Sequence, residues 1–164
     1  MKPIIGIVST PNFDNNGGKM FCTDLKVHNW VIKCGGIPLS IMPTNIDDVF
    51  NKTENNHYIE DINAHNVRIE NGTLLKKILN KDTLLVSSRH NYCVHDLNKF
   101  KISGIADDGV IEAIENPKCK FNIGLQWHPE LFDFDHEDSI NIFNSFIKEA
   151  IIYSSQKVSK KTIY

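Results

Sequence analysis

Gln126-Trp127-His128-Pro129-Glu130 places an imidazole and a carboxylate two residues apart across a proline. Side chains at i and i+2 of an extended segment point the same way, so Glu130 can reach one ring nitrogen of His128. Pro129 cannot continue a hydrogen-bonded ladder and stiffens the backbone between them. A carboxylate on one imidazole nitrogen fixes the tautomer and stabilises the imidazolium, leaving the other nitrogen to take a proton from a nucleophile. His128 and Glu130 are therefore candidate catalytic residues, the base and orienter of a nucleophilic triad. The tripeptide alone is also ordinary loop chemistry, so its surroundings decide.

The other titratable residues say less. His28, His57, His65, His95 and His136 show no metal-ligand spacing and read as surface or loop residues. Asp133, Asp135, Glu137 and Asp138 read as the top of the last helix, since no glycine-centred loop accompanies them. None of the four cysteines is spaced as Cys-x-x-Cys, which argues against a zinc or redox motif. No metal is expected.

The elements that must position His128 follow from hydrophobic period. Ile4 to Ser9 is a buried strand, and Thr10 to Met20, rich in Asn and Gly, is a loop. A helix from about Thr23 carries Val27, Trp30, Val31 and Cys34 on one face and ends at Gly35-Gly36. Ile37 to Met42 is a second strand, completing a β-α-β unit with parallel strands. Asn45 to Asn63 lacks a period; it reads as a loop with one short helix near Ile46 to Phe50, unusually long for a compact domain.

Beyond it, His65 to Ile69 alternates like a strand, Asn71-Gly72 turns, Leu74 to Leu79 is a short helix and Thr83 to Val86 a buried strand. Ile102 to Glu115 is a hairpin through Asp108-Gly109. Phe121 to Gln126 is a buried strand whose end carries His128, and carboxyl edges of open α/β sheets are where ligands bind. Ser139 is the expected N-cap of the last helix, with Ile140, Phe143, Ile147, Ala150 and Ile151 on its apolar face. The expected organisation is one α/β domain over residues 1–153, with a polar junction at 45–63 and a polar tail at 154–164.

The chain has 164 residues, 41% hydrophobic and 23% charged, enough to bury one core. A net charge of -2 gives no reason to expect nucleic acid as a partner. No apolar run approaches a membrane span, and the N-terminal apolar stretch is too short for a signal peptide. The expectation is a cytoplasmic protein with reduced thiols.

Ile105-Ala-Asp-Asp-Gly-Val-Ile-Glu-Ala-Ile-Glu115, followed by Ile123-Gly-Leu-Gln-Trp-His-Pro-Glu130, closely resembles the γ-glutamyl-γ-aminobutyrate hydrolase branch of the class I glutamine amidotransferase-like family. Val86-Ser87-Ser88-Arg89-His90 is similar to that family's Val-Asn-Ser-x-His. Lys2-Pro3-Ile4-Ile5-Gly6-Ile7 and Gly35-Gly36-Ile37-Pro38 fit its opening β-α-β. The resemblance implies an α/β fold, a three-layer α/β/α sandwich of flavodoxin-like type, here internally shortened. It implies a cysteine-dependent hydrolase of small-molecule γ-glutamyl amides that needs no cofactor. It also puts Ser88 and His90 near the substrate-binding edge, although His90 read by itself is a loop histidine.

The chain departs from the family in several places. Ser87 stands where the family has Asn, and Tyr92 where it has Gln. The Gly-Gly-x-Asp segment and the Gly-x-Cys-x-Gly nucleophile elbow are absent, for Thr44 leads directly into the polar stretch. Cys34 has a helix before it and a strand after it, the reverse of an elbow. Cys119 falls in a hairpin loop, and nothing around Cys93 spells an oxyanion hole. Cys22 is the best surrogate nucleophile, because it precedes a helix start whose dipole lowers a thiol's pKa. The competing reading of Cys22, a small buried hydrophobe, is favoured.

Three functions fit these residues. One is a γ-glutamyl amide hydrolase, weak or inactive without its nucleophile. The others are a non-catalytic binding or regulatory descendant and an internally deleted copy of a family member. Missing central strands would expose sheet edges and favour homo-oligomers.

Overall fold

The computed structural model describes residues 2–8, 10–13, 17, 19–41, 50–52, 57–59, 61–90, 92–94, 97 and 99–161. The architecture is α/β. The chain divides into two compact units, residues 1–47 with 143–164, and residues 48–142.

In the first unit, strand β1 (Ile4–Val8) pairs in parallel with β4 (Ile37–Ile41), with Ile4 opposite Ile37 and Val8 opposite Ile41. Helix α1 (Leu25–Lys33) lies between them in sequence, so the expected β-α-β unit is present. Asp24 starts α1: its Oδ1 accepts from the Lys26 N–H at 2.7 Å, which places the helix start slightly later than the apolar pattern suggests. Gly35 ends it at φ +91°. At Gly36 any larger residue would collide, since a Cβ there would lie 2.8 Å from Val31 Cγ1 and 2.9 Å from Ile147 Cδ1.

The stretch expected to be a loop after β1 is instead a hairpin of β2 (Thr10–Phe13) and β3 (Lys19–Cys22). Antiparallel pairing uses backbone groups, so it forms without an apolar alternation to announce it. The core of this unit joins Ile5, Val31 and Ile147, and Trp30, fully buried, stacks on Phe143 at 4.9 Å between ring centroids.

The second unit holds two very short strands, β5 (Phe50–Lys52) and β6 (Tyr58–Ile59), inside the region expected to be a loop. Strands of three and two residues are too short to show a period. The short helix expected near 46–50 lies outside the described residues except Phe50, which opens β5. Next come β7 (His65–Ile69), α2 (Leu74–Leu79), β8 (Thr83–Val86), β9 (Ser88–Arg89), β10 (Tyr92–Val94), β11 (Lys101–Ala106), β12 (Ile111–Glu115) and β13 (Ile123–Leu125).

Five of these strands make an antiparallel sheet in the order β13-β12-β11-β7-β8. Beside it, β5 pairs with β10 and β6 with β9. The expected hairpin turns at Asp108-Gly109, where Gly109 takes φ +89°. Helix α2 is capped by Thr73, whose Oγ1 accepts from Lys76 N–H, and by the buried Glu115, whose Oε2 accepts from Leu74 N–H at 2.8 Å. Val67, Ile69, Leu75, Leu79, Leu84, Val86, Ala113 and Trp127 form the core of this unit.

The C-terminal helix runs Glu137–Lys161, past residue 153, and starts two residues before the expected cap. Ser139 lies in its first turn and its Oγ donates to the Pro129 carbonyl at 2.8 Å. Asp138, buried there, pairs with Lys81 at 2.7 Å. Ile147 is buried as expected of the helix's apolar face, but Ile151 is exposed. No helix among the described residues is long and apolar enough to cross a membrane.

Candidate active site and a buried histidine–carboxylate cluster

Beyond β13 the chain stays tied to the sheet, with Gln126 N–H donating to the Glu112 carbonyl at 2.8 Å. Trp127 then turns into the core at 4% exposure, which anchors the segment just before His128. The expected extended His-Pro-Glu geometry is corrected here. Pro129–Leu131 is a single 3-10 turn with Pro129 at its first position, and His128 precedes it. The tight turn still brings the two side chains together: His128 Nδ1 is 2.6 Å from Glu130 Oε1.

Glu130 is buried, whereas the His128 side chain is 37% exposed. Among the described residues nothing bonds His128 Nε2. A carboxylate can only accept, so in the neutral ring it holds the proton on Nδ1 and leaves the lone pair on Nε2. That is the state a general base needs.

Ser87, which stands where the family has Asn, supports the base. It is fully buried; its Oγ donates to the His128 carbonyl at 3.0 Å and accepts from the His128 N–H at 3.1 Å. Both main-chain groups of the base are thus held by one hydroxyl. Its neighbour Ser88 is also fully buried and donates to the His57 carbonyl.

That bond leads to an arrangement the sequence did not suggest. His57 precedes β6, His65 opens β7, His90 follows β9 and Glu112 lies in β12. Their ligand atoms all lie within 4.8 Å of one another. Around Glu112 Oε1 stand His57 Nδ1 at 3.1 Å, His90 Nε2 at 3.2 Å and His65 Nε2 at 3.6 Å. His57 is 3% exposed and Glu112 1%, so His57, although it lies in no helix or strand, is not at the surface, and His65 belongs to a strand. His90 is buried at 9% and contributes to this cluster. One signal was available: His65 is in phase with the core positions Val67 and Ile69.

The cysteines divide between the units. Cys22 ends β3, two residues before the Asp24 cap, and is half-buried, as is Cys34 at the end of α1. Burial pushes the Cys34 thiol above its ordinary pKa, with Lys33 pulling weakly the other way. Cys93 lies in β10, and Cys119 is exposed in the turn between β12 and β13. None of the four is in a disulfide.

The family model described as Peptidase C26 matches residues 42–130, more than half of the chain and including His128 and Glu130. A glutamine amidotransferase-like protein of Rickettsia prowazekii is 41% identical over 91 residues, covering 54% of this chain and 32% of that protein. CTP synthase of Staphylococcus epidermidis is 34% identical over 96 residues, 54% of this chain and 18% of its own length. Among solved structures, the glutaminase domain of Trypanosoma brucei CTP synthase with bound acivicin aligns at TM-score 0.48 and 27% identity, covering 53% of this chain and 38% of that one. The matched region spans less than half the length of these curated relatives.

Proposed function

The chain belongs to the Peptidase C26 family of class I glutamine amidotransferase-like proteins, and from that membership we propose that His128 and Glu130 are the proton-handling half of a γ-glutamyl amide hydrolase site. The observation that carries the reading is the 2.6 Å His128–Glu130 contact, made by a histidine whose side chain is partly exposed. In such a site a thiolate attacks the γ-carbonyl of the amide, the imidazolium gives its proton to the leaving amine, and water releases glutamate. The Asp-Gly and Glu-Ala hairpin of β11 and β12, running into Gly124-Leu-Gln-Trp-His-Pro-Glu130, supports the γ-glutamyl-γ-aminobutyrate hydrolase branch. With it goes a shortened three-layer α/β/α architecture, with small γ-glutamyl amides as substrates.

The same residues support little or no turnover by this chain alone. No Gly-x-Cys-x-Gly elbow is present, and losing one member of a unit that acts together removes most of the rate. That absence equally favours the second reading, a non-catalytic descendant that kept the scaffold.

Glutamate release from a panel of γ-glutamyl amides tests this on wild type, Cys22→Ala and His128→Ala, each shown to be folded. The expected result is no turnover in any of them. Turnover that vanishes with His128→Ala would overturn the inactivity, and its loss with Cys22→Ala as well would identify a relocated nucleophile. Nitrogen-15 long-range spectra test the base separately. They should show His128 protonated on Nδ1 when neutral, and a proton on Nε2 instead would end its role as base.

A further inference from the structure

We propose that His57, His65, His90 and Glu112 form a structural site for a divalent transition-metal ion of the zinc type, independent of any hydrolase activity. Tetrahedral coordination at about 2.0–2.1 Å separates ligand atoms by about 3.3 Å. The three imidazole nitrogens stand 3.1, 3.2 and 3.6 Å from Glu112 Oε1, and the whole set falls within 4.8 Å. Side-chain adjustments of about an ångström close four ligands around one ion. Three imidazoles and one carboxylate suit zinc, and four protein ligands in a buried setting mark a structural site rather than an open one.

The outer partners set the ring tautomers that ligation requires. Asp108 Oδ2 lies 2.8 Å from His57 Nε2. Because a carboxylate only accepts, Nε2 carries the hydrogen, and in the neutral ring Nδ1 turns a lone pair on the cluster. At His65 the Asn66 carbonyl faces Nδ1 at 3.4 Å, which leaves Nε2 as the inward lone pair. His57 Nδ1, His65 Nε2 and both carboxylate oxygens of Glu112 are buried with no hydrogen bond of proper geometry among the described residues.

Lone pairs on nitrogen and oxygen 3.1 Å apart repel unless something positive lies between them. A single proton serves one nitrogen at a time. A divalent cation serves all four ligand atoms and neutralises the buried carboxylate. Its ligands come from beside β6 and β9 and from within β7 and β12, so it would tie the strand pair β6-β9 to the five-stranded sheet.

The test uses the untagged full chain, stripped with chelator and dialysed. Calorimetric titration with zinc chloride should give one ion per chain, and cobalt(II) should give the intense visible bands of a tetrahedral nitrogen–oxygen site. His65→Gln and Glu112→Gln should abolish that stoichiometric binding, while His136→Gln, outside the cluster, should leave it unchanged. Asp108→Asn changes only an outer partner on a residue that is partly exposed, and should weaken zinc about 10- to 100-fold. Folded wild type that takes up no zinc would overturn the proposal. So would binding that survives both Glu112→Gln and His65→Gln. If those two variants fail to fold, the wild-type stoichiometry, the cobalt spectrum and Asp108→Asn decide, and an octahedral spectrum or an unchanged Asp108→Asn affinity rejects the site.

Discussion

His128 and His57 each hold a carboxylate on one ring nitrogen, at 2.6 and 2.8 Å. What meets the other nitrogen differs. At His128 the side chain is partly exposed and nothing among the described residues bonds its other nitrogen, while at His57 that nitrogen faces the buried Glu112 oxygen at 3.1 Å. A carboxylate fixes a tautomer in both cases; the surroundings decide what the remaining lone pair does. Facing solvent or substrate it can carry a proton, and facing a buried carboxylate with two more imidazoles nearby it becomes a ligand.

The largest effect should separate the two directly. Zinc at a thousandfold excess over its Kd would stabilise the chain by about 4 kcal/mol. At this chain length that raises Tm by roughly 8–16 °C, to be read by calorimetry with and without chelator. The shift should persist in full in His128→Ala and disappear in Glu112→Gln. A shift lost with His128→Ala would place the ion at the wrong histidine.

Ser87→Ala should come next. It removes both bonds from Ser87 to the His128 main chain and leaves a part-buried N–H without its acceptor, at a cost of about 1–3 kcal/mol in urea denaturation. The zinc-induced shift should survive, because the Ser87 hydroxyl bonds the His128 main chain and no ligand atom of the cluster. A loss well under 1 kcal/mol would mean that water replaces the hydroxyl and that His128 is not rigidly held.

The same contrast explains what the sequence disclosed. Base and orienter are two residues apart, and a contact so local survives even when extended backbone turns out to be a 3-10 turn. The β-α-β unit, the Asp108-Gly109 hairpin and α2 were legible because period and turn chemistry are local as well. The cluster draws on residues 57, 65, 90 and 112, whose meeting depends on the pairing of β6 with β9 and on sheet order. No spacing rule encodes that. The hairpin of β2 and β3 and the short strands β5 and β6 stayed hidden because backbone pairing over two to four residues leaves no hydrophobic signature. Ser87 was visible only as a substitution, and its grip on His128 required coordinates.

His128→Gln should itself change stability by no more than about 0.5 kcal/mol, because the ring is partly exposed and an amide N–H can still donate to the buried Glu130 carboxylate. Equal Tm values for wild type and His128→Gln would fit a residue kept for chemistry rather than packing. A loss above 1 kcal/mol would erase the distinction, making His128 as structural as the cluster.

The smallest effect concerns which thiol could serve such a base. Burial holds the proton on Cys34, and the weaker pull of Lys33 does not undo it. The folded pKa therefore lies above the unfolded one, and this thiol's contribution to stability is present below the unfolded pKa and fades as pH rises through the folded one. Alkylation of Cys34 by iodoacetamide, followed by peptide mass spectrometry, should be slower in the native chain than in urea at pH 7.5. Its pH–rate profile should also move upward on folding. A thiol working with His128 needs the opposite environment, one that favours thiolate. Native Cys34 that reacts faster than the denatured residue would therefore overturn the assignment of its thiol as inert.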